Sequence, residues 1–185
     1  MTAAVMMERI TETSPRFKGR MAGALQLFSL LTAGLTETFV RGRWNYAGGY
    51  IAILGMAVVT LLYYDIFKPV NRSLALLAAS LALLGLIFEA LRWQPQGVNI
   101  AIVIHGFYCP LIGYLIFRST FLPRILGALM AFSGLGWLTY LSTPLVNYLS
   151  PYNLAAAILA ELSLTLWLLV MGMNVRRWKE QAGAA

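Results

Sequence analysis

The stretch SLALLAASLALLGLIFEALRW, residues 73–93, carries one carboxylate and one guanidinium and is otherwise almost wholly apolar. A helix of this length is about 30 Å long at 1.5 Å per residue, which is the thickness of the hydrocarbon core of a bilayer. The stretch therefore predicts a transmembrane helix, and it decides the fold class.

Five other apolar stretches are also long enough to cross a bilayer. The six predicted spans are 21–40, 46–67, 73–93, 98–117, 124–147 and 152–175. Proline, glycine and asparagine residues in the connections are typical helix breakers. The sequence thus predicts an all-α integral membrane bundle of six transmembrane helices over 21–175. A cytoplasmic N-terminal segment (1–20) and a cytoplasmic C-terminal tail (176–185) flank it.

The composition excludes most soluble classes of protein. Of the 185 residues, 59% are hydrophobic and 11% are charged, whereas soluble domains are about 45–50% apolar and about 25% charged. The net charge of +7 lies in short connections between apolar stretches, so we expect no nucleic-acid partner. With one cysteine and one histidine, the chain can form neither an internal disulfide nor a bis-histidine haem site.

The distribution of basic residues predicts the orientation in the membrane. Eleven of the 14 Lys and Arg residues fall on one side of the predicted bundle, and only Arg41, Arg43 and Arg92 fall on the other. The basic side of a membrane protein is usually cytoplasmic. We therefore expect both termini in the cytoplasm, in a multi-pass protein of the inner membrane.

Five ionisable side chains within the predicted spans are candidates for a functional site, because charges inside a bilayer are costly. These residues are Glu37, Asp65, Glu89, His105 and Glu161. All except Asp65 fall in the predicted outer half of the bilayer. Asp65 lies near Lys68 at the cytoplasmic end and is interpreted as a solvated helix-end charge.

Glu161 is the strongest of these candidates, because it lies deep in an apolar run without a basic residue within one turn. A buried neutral acid can donate a proton or a hydrogen bond. We predict Glu161 as the catalytic acid, with His105 or Glu37 as the base. The structural alternatives are an interhelical hydrogen bond for Glu161, a core histidine for His105 and an ion pair with Arg41 for Glu37.

Polar and aromatic residues at the same predicted level are candidates for substrate binding. For any single ring, the structural alternative is a place in an interfacial belt of Trp and Tyr. For Glu89, the carboxylate nearest the surface, the structural alternative is an ion pair at the end of a helix. The predicted set is Arg41, Glu89, Trp93, Tyr108, Trp137 and Tyr140.

Four segments resemble a family of bacterial membrane proteins known as domain of unknown function 4386. They are ETFVRG (37–42), KPVNRSLALLAA (68–79), GYLIFRSTFLPRILG (113–127) and ELSLTLWLLV (161–170). The resemblance runs over about 21–175 and implies a compact multi-helix membrane protein without an established reaction. It also implies family positions at Glu37, His105 and Glu161. After Gly42 the chain is shorter than the family pattern.

Three classes of function fit these features. The first is a membrane-embedded acid–base enzyme, of isomerase, cyclase or epoxide-opening type, acting on a lipophilic and isoprenoid-like (terpenoid) substrate without a cofactor. The second is a small-molecule binding or transport protein. The third is a structural or sensor subunit without catalysis. We predict no metal site, although His105, Glu37 and Glu161 have the donor types for one. The expected partners are the lipid bilayer and a lipophilic small molecule, and the oligomeric state is left open.

Overall fold

A computed structural model describes residues 14–40 and 42–184. The described chain is helical, and no strand occurs in it. The eight α-helices of this part are α1 (Pro15–Phe39), α2 (Arg43–Phe67), α3 (Arg72–Leu91), α4 (Ile100–Arg118), α5 (Arg124–Leu138), α6 (Thr143–Leu149), α7 (Tyr152–Val170) and α8 (Val175–Gly183). Short 3-10 turns precede α4 and follow α5. The prediction of an all-α fold is confirmed.

Five of the helices are long and apolar enough to cross a membrane, namely α2, α3, α4, α5 with its 3-10 extension, and α7. Large apolar side chains cover their outer faces: Leu54, Leu76 and Leu159 are each more than half exposed. Such a surface is stable in lipid rather than in water, because exposing large apolar side chains to water is unfavourable. The protein is therefore a multi-pass membrane protein.

The six long helices form a ring in chain order. Each of α1 to α5 packs against the next, α5 packs against α7, and α7 packs against α1 and closes the ring. Short connections favour this arrangement, because consecutive antiparallel helices pack as neighbours. The ring leaves a space between the helices, and this space holds the site described below.

Glycines allow the closest approaches between neighbouring helices. A Cβ atom on Gly113 would lie 2.6 Å from the carbonyl oxygen of Gly127, so α4 and α5 touch through their backbones. A Cβ atom on Gly23 would lie 2.7 Å from the backbone nitrogen of Leu169, which brings α1 onto α7 in the same way. Small residues at helix interfaces are a common packing device in membranes.

The basic end of the ring is covered by the C-terminal helix. Gly172 adopts a positive φ of 69°, which allows the chain to turn between α7 and α8. Trp178 on α8 donates a hydrogen bond of 2.9 Å to the carbonyl oxygen of Ile66 at the end of α2. Nearby, Asp65 forms ion pairs with both Lys18 and Lys68. These contacts join the start of α1, the end of α2 and α8.

The helix bounds differ from the predicted spans in one main respect. The apolar stretch 124–147 is not a single helix, because α5 ends at Leu138 and the chain continues through a 3-10 turn into α6. Pro144 accounts for the break, since proline is tolerated in the first turn of a new helix but not in the interior of a long one. The predicted last span, 152–175, is helical over Tyr152–Val170, and a separate helix, α8, covers most of the predicted C-terminal tail.

Candidate functional site

A cavity of about 570 Å³ lies inside the ring. The C-terminal ends of α1 and α3 and the N-terminal ends of α2 and α4 surround its mouth, which is thus at the end opposite α8. Apolar side chains such as Leu30, Ile53 and Leu86 line its middle. His105, Trp137 and Glu161 line the wall formed by α4, α5 and α7.

Glu161 is 5% exposed, and four side chains from two other helices contact its carboxylate. The Oε1 atom lies 3.0 Å from Nε2 of His105. Trp137 donates a hydrogen bond of 2.5 Å from Nε1 to Oε1, and Ser133 donates one of 3.1 Å from Oγ. Ser133 and Trp137 are four residues apart on α5, so they lie on one helix face. As the sequence indicates, Glu161 has no basic residue within one turn along the chain. In the folded protein, however, the basic side chain of His105 lies next to it.

The two oxygen atoms of Glu161 differ in their surroundings. Oε1 accepts the indole N–H of Trp137, and indole is only a donor, so Oε1 is the acceptor oxygen. Among the described residues, no side chain or backbone group donates to Oε2. Among these residues Oε2 has no hydrogen-bond partner, and yet it is not a fully buried atom. It is therefore the oxygen left for the proton of the neutral acid.

Aromatic rings surround the His105–Glu161 pair. The His105 ring centroid lies 5.4 Å from that of Tyr108 and 5.8 Å from that of Trp137, the latter in an edge-to-face arrangement. The ring centroids of Trp137 and Tyr140 are 6.0 Å apart. All of these rings line the cavity. They provide π-faces next to a polar pair, an arrangement that suits a partly cationic ligand.

The mouth of the cavity carries two carboxylates and one guanidinium. Glu37 and Glu89 both line it. Arg92 donates a hydrogen bond of 3.0 Å to Oδ1 of Asn45, and its guanidinium lies 4.1 Å from the ring centroid of Tyr46. These contacts attach Arg92 to α2, so the arginine does not depend on Glu89 for its position.

The cavity contains seven of the nine residues that the sequence predicts for the site. These seven are Glu37, Glu89, His105, Tyr108, Trp137, Tyr140 and Glu161. Trp93 is not among the lining residues and stacks on Phe88 instead, with ring centroids 5.2 Å apart. Arg41 lies outside the described residues. The catalytic and binding roles given to these side chains stay predictions.

Two residues close to Glu161 are absent from the predicted set. Ser133 lies one turn before Trp137 on α5, so the two side chains share a helix face. This i, i+4 spacing is the sequence signal by which Ser133 could have been added to the predicted site. Cys109 lies one turn after His105 on α4, and its Sγ is 3.8 Å from Oε1 of Glu161. The donor atoms of His105, Cys109 and Glu161 all lie within 4.8 Å of one another. A metal ion would find one nitrogen, one sulfur and one oxygen ligand there.

Comparisons with known proteins give one match. No curated protein and no solved structure matches the chain. Residues 86–172 match the family described as Domain of unknown function (DUF4386). This segment contains His105, Cys109, Ser133, Trp137 and Glu161 but not Glu37, and it is shorter than the resemblance over 21–175. The resemblance is nevertheless confirmed for residues 86–172, which are similar to the DUF4386 family.

Proposed function

We propose that this protein is a membrane-embedded enzyme that performs acid–base chemistry on a lipophilic molecule held in the cavity. The observation that carries the proposal is the contact of 3.0 Å between His105 and Glu161 on the wall of a cavity of about 570 Å³. Ligand pockets are typically about 300–1,000 Å³ and mostly apolar, with a few convergent polar groups. This cavity has that size and that composition.

The pair would act by sharing one proton. That proton passes to an alkene carbon or an epoxide oxygen of the substrate, and a proton lost from a neighbouring carbon returns to the pair. The number of protons is then unchanged, as an isomerisation, a cyclisation or a ring opening requires. Trp137 and Ser133 fix Oε1 of Glu161 throughout. The rings of Tyr108 and Trp137 lie next to His105 and would stabilise a developing carbocation.

The lining of the cavity favours an amphipathic substrate. An apolar chain would pack among Leu30, Ile53 and Leu86 in the middle, and a polar end would lie at the mouth with Glu37 and Glu89. An isoprenoid with one oxygenated end has this shape and chemistry. Glu37 lies at the mouth in this proposal, so it orients the polar end of the substrate or accepts its proton.

We also propose six spans, with both ends in the cytoplasm, in the inner membrane. Although α1 is not among the five most apolar helices, it is 25 residues long and packs between α2 and α7. Phe28, Leu31 and Leu35 on α1 are each more than half exposed, as on the other membrane helices. The basic end with α8 would face the cytoplasm, and the cavity would then open toward the outer leaflet.

The test of the enzymatic proposal uses the purified full chain in detergent with farnesol and farnesol epoxide as probes. The expected result is conversion of at least one probe to an isomerised, cyclised or ring-opened product, detected by mass spectrometry. Glu161→Gln should lower the rate about 100-fold or more, because general acid–base catalysis contributes about 10²–10⁴-fold.

The matched control is Glu180→Gln, which alters an exposed carboxylate paired with Arg176 on α8, and it should keep the full rate. Circular dichroism and gel filtration show whether each variant is folded. Conversion by Glu161→Gln at the wild-type rate would contradict the proposal. Binding of the probes without conversion would favour a binding or transport protein instead.

A further inference from the structure

We infer that His105, Cys109 and Glu161 form a zinc site at the wall of the cavity. The cluster joins one nitrogen, one sulfur and one oxygen donor from two helices, and these donors lie within 4.8 Å of one another. Zinc binds this combination of donors in proteins. The site differs from the His-carboxylate set considered from sequence, because Cys109 takes the place of Glu37.

The positions of the ligands follow from the helices. His105 and Cys109 are four residues apart on α4, so their side chains lie on one face, one turn apart. Glu161 comes from α7, with its carboxylate fixed by two donors from α5. Metal ligands generally need such supporting hydrogen bonds, which fix their orientation and tune their affinity. Trp137 and Ser133 meet this requirement for Glu161.

Two of the three distances between donors are close to those of a tetrahedral zinc site. With zinc bonds of about 2.1 Å to nitrogen and oxygen and about 2.3 Å to sulfur, neighbouring ligands are about 3.4 Å (N to O) and about 3.6 Å (S to O) apart. The structure has 3.0 Å between Nε2 of His105 and Oε1 of Glu161, and 3.8 Å between Sγ of Cys109 and that oxygen. These two distances are within a few tenths of an ångström of the tetrahedral values, and the third, between the His105 and Cys109 donors, is within 4.8 Å.

The burial of the ligands also fits a reactive metal site. Cys109 is fully buried and Glu161 is 5% exposed, so a bound ion is shielded from bulk water. His105 and Glu161 both line the cavity, whereas Cys109 lies behind them. Three protein ligands leave the fourth tetrahedral position open, and that position would face the cavity. An open fourth position distinguishes catalytic zinc sites from structural ones.

Only the catalytic role of the zinc ion rests on the proposed function. Zinc would take the place of the proton shared by His105 and Glu161, and it would polarise an epoxide oxygen of the substrate as a Lewis acid. Binding of the metal does not depend on that chemistry. Cys109 separates the two proposals, because the proton-sharing pair does not need it and the zinc site does. Without zinc, a buried thiol is simply a small apolar side chain.

The experiment measures metal binding to the purified full chain in detergent after treatment with a chelator. Zn²⁺ is titrated against a chromogenic competitor, and Co²⁺ is then used as a spectroscopic probe. We expect one Zn²⁺ per chain and a thiolate-to-cobalt charge-transfer band. Since the chain has a single cysteine, this band identifies Cys109 as a ligand without any substitution.

Two substitutions complete the test. Cys109→Ser should weaken zinc binding at least tenfold and abolish the cobalt band, while Glu180→Gln, an exposed carboxylate on α8, should change neither. A wild-type protein that binds less than one Zn²⁺ per chain, or that gives no thiolate band with Co²⁺, would overturn the inference. That result would leave the proton-sharing pair intact, and loss of probe conversion in Glu161→Gln would still test it separately.

Discussion

Oε1 of Glu161 is the most heavily contacted side-chain atom of the site, with two certain donors and the imidazole of His105 within 3.1 Å. A carboxylate removed from water is costly unless its oxygens are hydrogen-bonded. The donors on α5 therefore stabilise the buried group and at the same time fix its direction. Glu161 also lines the cavity, so the same side chain joins α7 to α4 and α5 and reaches the space between the helices.

The indole N–H of Trp137 is testable on its own through Trp137→Phe, which keeps an aromatic ring and removes the donor. We expect the variant to lose about 1–2 kcal/mol of stability, because an oxygen inside the bundle loses a hydrogen bond. Unfolding by increasing fractions of a denaturing detergent measures the loss.

The matched control for this variant is Trp44→Phe, because Trp44 is 72% exposed and lies outside the cavity lining. Its effect should stay within about 0.5 kcal/mol, as for most surface substitutions. Equal stability of the two variants would show that the indole N–H contributes nothing to the fold.

At the level of the helices, close backbone contact determines how the ring closes. Gly23 on α1 faces the backbone of α7, and a Cβ atom there would lie 2.7 Å from N of Leu169 and 2.8 Å from O of Thr165. Gly34, eleven residues later on the same helix, has open space around it. The two glycines share a helix and differ in their surroundings, so they form a natural pair for comparison.

Gly23→Ala should destabilise the protein by about 1–3 kcal/mol, because the added methyl group forces α1 away from α7. Gly34→Ala should leave stability unchanged or raise it by up to about 1 kcal/mol, since alanine is the better helix former. Thermal unfolding in detergent measures both changes. A loss of similar size in the two variants would mean that helix propensity, and not the α1–α7 contact, decides the effect.

The helices themselves were predictable from sequence, because hydrophobic length is a local property. Residues 73–93 and α3 agree closely, whereas the break at Leu138 was missed because residues 139–147 remain apolar enough to extend a span. Depth along the spans brought Glu37, His105 and Glu161 into one predicted level. The order of the helices around the ring could not be predicted from sequence. The contacts of Ser133 and Cys109 with Glu161 could not be predicted either, because they depend on which faces of α4, α5 and α7 meet.

For the whole molecule, the arrangement of the ring constrains the topology. Lys18 at the start of α1 pairs with Asp65 at the end of α2, so these two points lie at the same end of the bundle. Trp178 on α8 reaches the neighbouring carbonyl of Ile66. Residue 14, the end of α2 and the C-terminal helix therefore share one end, and α6 lies at the other. This geometry fits the proposed six crossings between Ser14 and α8.

Cysteine labelling tests that topology directly, because the one natural cysteine, Cys109, is fully buried and should give no background. Single substitutions are made at exposed positions: Ser14→Cys, Asn147→Cys on α6, and Lys179→Cys on α8. With six spans and both ends in the cytoplasm, a membrane-impermeant maleimide should label only Asn147→Cys on intact spheroplasts and should reach the other two after permeabilisation. If α1 did not cross the membrane, Ser14→Cys would be labelled together with Asn147→Cys. If the whole bundle faced the opposite way, Ser14→Cys and Lys179→Cys would be labelled without Asn147→Cys, and the cavity would open to the cytoplasm.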